Sequence, residues 1–75
     1  MDHYGRAPLL AEIDQAVVRL GQCTAHIAAQ EERISVSKGR GDDTADSEKF
    51  LAILRECLRL HEMHYANLFK QSDRA

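Results

Sequence analysis

The chain has 75 residues and a mass of 8.5 kDa, with 12 acidic and 10 basic side chains and a formal net charge of -2. Charges of both signs are interspersed and aromatic residues make up only 5% of the chain, which argues against a nucleic-acid binder. No segment approaches the ~18 to 20 apolar residues of a membrane span, and no targeting signal is visible. With two cysteines, too few for a secreted disulfide scaffold, we expect one small cytoplasmic domain without nucleic-acid or membrane partners.

A first helix is predicted from about residue 8 to residue 37. Pro8 suits the first helical position, where its missing N–H would have no partner in any case. Large aliphatic residues then recur every seven residues: Ile13, Leu20, Ile27 and Ile34. The positions between them hold Leu9, Ala16, Cys23 and Gln30. This heptad spacing predicts a narrow seam that packs against one neighbouring helix.

A turn at residues 38–43 and a second helix from about 44 to 71 follow. Asp43 or Thr44 is suited to cap the second helix, because its side chain can accept a bond from a free backbone N–H. A heptad seam recurs along this helix: Leu51, Leu54, Leu58, His61, Tyr65 and Leu68. Two long helices with a short connection lie antiparallel. The predicted fold class is all-α, an antiparallel two-helix coiled-coil hairpin forming a single domain over residues 1–75.

The register of this hairpin follows from folding the chain at about residue 42. Residues should then face each other when their numbers add to about 85, given equal rise along both helices. Ile34 would face Leu51, and Cys23 would lie across from His61.

The second helix carries another apolar stripe, rotated away from the seam: Phe50, Ile53, Cys57 and Leu60. One partner helix cannot cover both stripes. We therefore expect these four residues to form an interface in a homodimer, giving a four-helix bundle. A different helical protein is an alternative occupant, and scattered exposed aliphatic residues without any partner are the plainer interpretation.

A cluster of histidine and cysteine raises the possibility of metal binding. Cys23, His26, His61 and His64 fall near one another in the predicted register, and zinc accepts thiolate and imidazole ligands in tetrahedral sites. Their spacing matches no established metal motif. The structural alternative, with packed histidines and a cysteine acting as a small apolar residue, is favoured over a zinc site.

No catalytic motif is visible, since the chain lacks a G-x-S-x-G elbow and a glycine-rich phosphate loop. We therefore predict a non-enzymatic interaction or assembly module that acts as a homo-oligomeric bundle. The alternative function is a small metal-binding or sensing protein that uses histidine and cysteine on facing helices.

From the turn onward the sequence resembles small helical-hairpin proteins of unknown function from rhizobia and related alphaproteobacteria. The matching positions are Gly41, Asp43, Thr44, Ala45, Leu51, Leu54, Leu58, His61, His64 and Leu68. The first helix is similar more loosely, through the stretch HIAAQEERI. Tyr65 stands where those proteins commonly carry arginine. The resemblance implies a bacterial, cytoplasmic hairpin and no particular activity.

Overall fold

The computed structural model describes residues 2–74, and the side chains of residues 8–73. It contains two helices, α1 (Asp2–Gly39) and α2 (Ala45–Arg74), which pack against each other along their length. The predicted helical hairpin is confirmed. α1 begins six residues before the predicted start and passes through Pro8, whose ring removes one backbone hydrogen bond. α2 ends three residues beyond the predicted end.

A Schellman motif ends α1. The N–H of Asp42 donates to the carbonyl of Ser37 at 3.0 Å, and the N–H of Gly41 donates to the carbonyl of Lys38 at 3.0 Å. Gly41 has a φ of 80°, a left-handed conformation that glycine adopts without a Cβ penalty. The last carbonyls of α1 are thereby satisfied and the chain turns back within a few residues.

The first turn of α2 is capped by two consecutive residues. The carboxylate of Asp43 accepts a hydrogen bond from the N–H of Ala45 at 3.0 Å, and the carbonyl of Thr44 accepts one from the N–H of Glu48 at 2.9 Å. The Thr44 hydroxyl also donates to the Glu48 carboxylate at 3.2 Å. Both predicted cap residues therefore contribute to the start of α2.

The core is a single seam between the helices. Buried and half-buried residues alternate at intervals of three and four on both helices, as the heptad pattern predicts. The buried apolar residues of the described chain are Ala16, Ile34, Leu51 and Leu68, and the buried polar ones are Gln30 and Thr44. None of the described side chains is less than 2% exposed. One neighbouring helix is thus too little to enclose any side chain fully.

Three contacts between the helices fix their register. The Gln30 side chain bonds to the Ser47 carbonyl, while Glu31 pairs with Arg55 and Lys38 pairs with Glu48. The paired numbers add to 77 in the first contact and to 86 in the other two, so their mean is about 83, given equal rise on both helices. The two ion pairs agree with the predicted value of about 85, and the mean lies roughly 3 Å below it along the axis.

The hairpin is a thin rod measuring 61 × 14 × 13 Å. Its radius of gyration is 17.3 Å, whereas a compact domain of this length has about 11 Å. A rod of two helices leaves much of each helix surface in contact with solvent. The exposed apolar residues on that surface are therefore candidates for contact with a partner.

Candidate interaction site

The stripe of α2, formed by Phe50, Ile53, Cys57 and Leu60, lies on the flank of the helix next to the core seam. Phe50 is 49% exposed, Ile53 59% and Leu60 57%, and Cys57 is an exposed free thiol. Their spacing of three, four and three residues places them on one side of the helix, one turn after another. The stripe is therefore a second apolar surface, which α1 leaves largely uncovered.

A groove runs beside this stripe, between the two helices. It has a volume of about 210 Å³ and is lined by His26 and Arg33 from α1 and by Phe50 and Leu54 from α2. Phe50 belongs to both the stripe and the groove. A helix seated on the stripe would therefore also meet the basic side chains of α1 along its edge.

A short hydrogen-bonded chain holds Arg33 at the wall of this groove. The buried Gln30 side chain donates to the Ser47 carbonyl at 3.1 Å and accepts a bond from the Arg33 guanidinium at 2.9 Å. Sequence reasoning placed Gln30 on the seam but missed its link to Arg33. The regular heptad spacing of Arg19, His26 and Arg33 was a signal that could have drawn attention to this edge.

The opposite edge of the hairpin carries ion pairs within the chain. Lys38 lies 2.9 Å from Glu48, and Arg55 lies 3.0 Å from Glu31. The hydrogen bond from Lys38, followed by that from Thr44, lowers the pKa of the Glu48 carboxyl group. Because these charges are already paired, this edge offers less unsatisfied charge to a partner than the groove edge does.

The structure does not form the predicted metal site. Cys23 and His61 are half-buried on the seam, whereas His26 and His64 are exposed. His26 lines the groove at the level of Phe50 and Leu54, and Leu54 is about 10 Å along the axis from His61, because each residue rises 1.5 Å. Across residues 8–73, no group of three or more histidine, cysteine or acidic side chains could hold a metal ion. These four residues therefore do not form a site in this hairpin.

A second surface depression lies on α1 alone. It is lined by Asp14, Gln15, Val18, Arg19 and Gln22, all within about two turns of one helix. A surface made by a single helix brings no side chains together from different elements, so it contributes little to a site. Neither described helix is both long and apolar enough to cross a membrane.

Comparison with family models, curated proteins and solved structures gave no match to this chain. The resemblance to rhizobial hairpin proteins stays a prediction. The stripe and the groove are the features of the hairpin from which a function can be inferred.

Proposed function

We propose that this protein is a non-enzymatic assembly module that self-associates through the stripe of α2, so that two hairpins form a four-helix bundle. The observation that carries the proposal is the exposure of Phe50, Ile53 and Leu60 in one continuous seam. Scattered exposed aliphatic residues are ordinary, but residues repeated at helical spacing present a surface that another helix can pack against.

The surface area of the hairpin supports the same proposal. Its accessible surface is 5837 Å², whereas a compact monomer of 8.5 kDa exposes about 4,700 Å². The excess of roughly 1,200 Å² per chain is larger than the ~800 Å² that each partner buries in a standard protein interface. A second copy could therefore cover the stripe and still leave the normal amount of surface exposed.

The strength of this association follows from the same side chains. Full burial of a large apolar side chain contributes about 1.5 to 3 kcal/mol, and those of the stripe are roughly half exposed, so each can contribute about 0.8 to 1.5 kcal/mol more. Three such residues from each of two chains give roughly 5 to 9 kcal/mol, which is comparable to the lower estimates for the entropy loss of association. We expect a dimer that forms and dissociates with protein concentration.

The decisive experiment is the oligomeric state of the full chain, measured by light scattering after size exclusion and by native mass spectrometry. The test variant combines Ile53→Asp with Leu60→Asp. The matched control combines Val18→Asp with Met63→Asp, because these two residues are equally exposed and apolar but lie outside the stripe. Both variants add the same charge to the surface.

We expect the wild type and the control to dimerise at high concentration, and the stripe variant to remain monomeric with unchanged helical content. A wild-type chain that stays monomeric at every concentration would refute self-association. A stripe variant that dimerises as well as the control would show that another surface is used.

A further inference from the structure

The two walls of the groove differ in chemistry. Phe50 and Leu54 of α2 form an apolar wall, whereas His26 and Arg33 of α1 form a polar and basic wall. The apolar wall continues through Phe50 into the rest of the stripe, where Ile53 is 59% exposed. A single occupant of the groove would therefore contact apolar surface on one side and a guanidinium on the other.

Arg33 is held in position at this wall. Its guanidinium donates to the side-chain oxygen of Gln30 at 2.9 Å, and the amide nitrogen of Gln30 donates in turn to the Ser47 carbonyl at 3.1 Å. Gln30 is only 6% exposed, so it forms a fixed anchor. A guanidinium has several N–H donors, and this bond uses one of them. The remaining donors are left for a partner, and part of the entropy cost of ordering Arg33 is met before binding.

The two edges of the hairpin differ in their charge pairing. On the far edge, Glu31 pairs with Arg55 and Lys38 pairs with Glu48. In the described part of the chain, no carboxylate forms an ion pair with Arg33. A carboxylate brought to the groove would therefore form a new pair without breaking an existing one. Charge complementarity thus favours an acidic occupant at the groove edge.

A second copy of this chain supplies little of that charge. The residues beside the stripe on the outer face of α2 are Lys49, Glu56 and Met63, one heptad apart. Glu56 is the only acid among these three, and it already pairs with Arg59 of its own chain. A second α2 therefore brings a stripe that is not flanked by a row of carboxylates, whereas an acidic helix would match both walls of the groove.

We propose that the groove and the stripe bind an amphipathic helix of another protein, whose apolar face is flanked on one side by carboxylates. The apolar face would lie on Phe50, Ile53 and Leu60, with the carboxylates beside Arg33. The stripe extends about 15 Å from Phe50 to Leu60, or about three turns of a helix. The inference goes beyond the proposed self-association and does not require it. Both occupants cover the same stripe, so the acidic helix competes with the dimer.

The probes are two fluorescein-labelled synthetic helical peptides of about four turns, whose affinity for the full chain is measured by fluorescence anisotropy. Both carry leucine at the heptad a and d positions. Along one flank, the first has glutamate and the second has lysine at the same positions. The test variant is Arg33→Gln, and the matched control is Arg40→Gln, which removes the same charge at the turn. A third variant combines Ile53→Gln with Leu60→Gln to remove apolar surface without adding charge, and circular dichroism verifies the fold of each protein.

We expect the wild type to bind the glutamate peptide about tenfold more tightly than the lysine peptide, with a difference that shrinks as salt is added. Arg33→Gln should reduce this preference to about threefold, and Arg40→Gln should leave it unchanged. The stripe variant should bind both peptides at least about tenfold more weakly than the wild type, because less apolar surface is buried.

Four results would overturn the inference. Equal affinities of the wild type for the two peptides show that the basic wall does not select an acidic partner. The same loss in Arg33→Gln and Arg40→Gln indicates attraction by net charge alone. Undiminished binding to the stripe variant places the peptide on another surface, and a wild type that binds neither peptide has no such docking site.

Light scattering without peptide decides self-association separately. A chain that dimerises but binds neither peptide keeps the proposed function and loses this inference. A monomeric chain that binds the glutamate peptide with the expected preference loses the proposed function and supports this inference.

Discussion

Two leucines of α2 make it possible to separate folding from association. Leu68 is 3% exposed on the core seam, whereas Leu60 is 57% exposed on the stripe. Leu68→Ala should destabilise the hairpin by about 2 to 5 kcal/mol, the usual loss for a buried leucine. A single core of this size rarely supplies more than about 3 to 5 kcal/mol, so much of this variant should be unfolded. Leu60→Ala should reduce the stability of an isolated hairpin by no more than about 1 kcal/mol, since most of its side chain is already in water.

The assay is urea unfolding followed by circular dichroism at two protein concentrations, roughly 2 µM and 200 µM, because the stability of a dimer depends on concentration. Leu68→Ala should be destabilised at both concentrations. Leu60→Ala should resemble the wild type at the low concentration and fall below it at the high one, where the wild type gains from association. Equal losses for the two variants at both concentrations would refute the assignment of one leucine to the core and the other to an interface.

Three further predictions concern the turn and the paired edge. Gly41→Ala should destabilise the hairpin by about 1 kcal/mol in thermal unfolding, because the φ of 80° disfavours a Cβ although no atom lies within 4 Å of it. Because the pKa of Glu48 is lower in the folded chain than in the unfolded chain, its carboxylate stabilises the fold at pH values above the unfolded-state pKa. This stabilisation is lost as the pH falls through the folded-state pKa. Lys38→Met should therefore make the free energy of unfolding less dependent on pH in the acid range. Glu31→Lys and Arg55→Glu should each lower stability by up to about 1 kcal/mol, and a double-mutant cycle should show recovery when both are combined.

The seam of the hairpin could be predicted from individual positions. Ile34, Leu51 and Leu68 were assigned to it by heptad spacing alone, and all three are buried. A helical repeat places every third or fourth residue on one side whatever the partner is, so the spacing contains this information. The same spacing identified the stripe of α2, which the structure leaves exposed.

The sequence predicted less well which residues of the two helices meet at the candidate site. The expected cluster of Cys23, His26, His61 and His64 depended on which residues of the two helices face each other and on which of them point into the seam, and His26 and His64 are exposed. The groove lined by Arg33 and Phe50 also depended on which residues of the two helices face each other. Heptad patterns repeat along both helices, so they fit several neighbouring registers almost equally well.

The sequence by itself determined the two helices, the residues that cap the start of α2, the side of each helix that packs and the apolar stripe left over, because each of these depends on spacing within one helix. Only the tertiary structure decided which residues meet across the seam. That choice depended on the closure of the turn at Gly41 and on the bond between Gln30 and Ser47, which join distant parts of the chain. The separation of His26 from His61 and the placement of Arg33 beside Phe50 both follow from it.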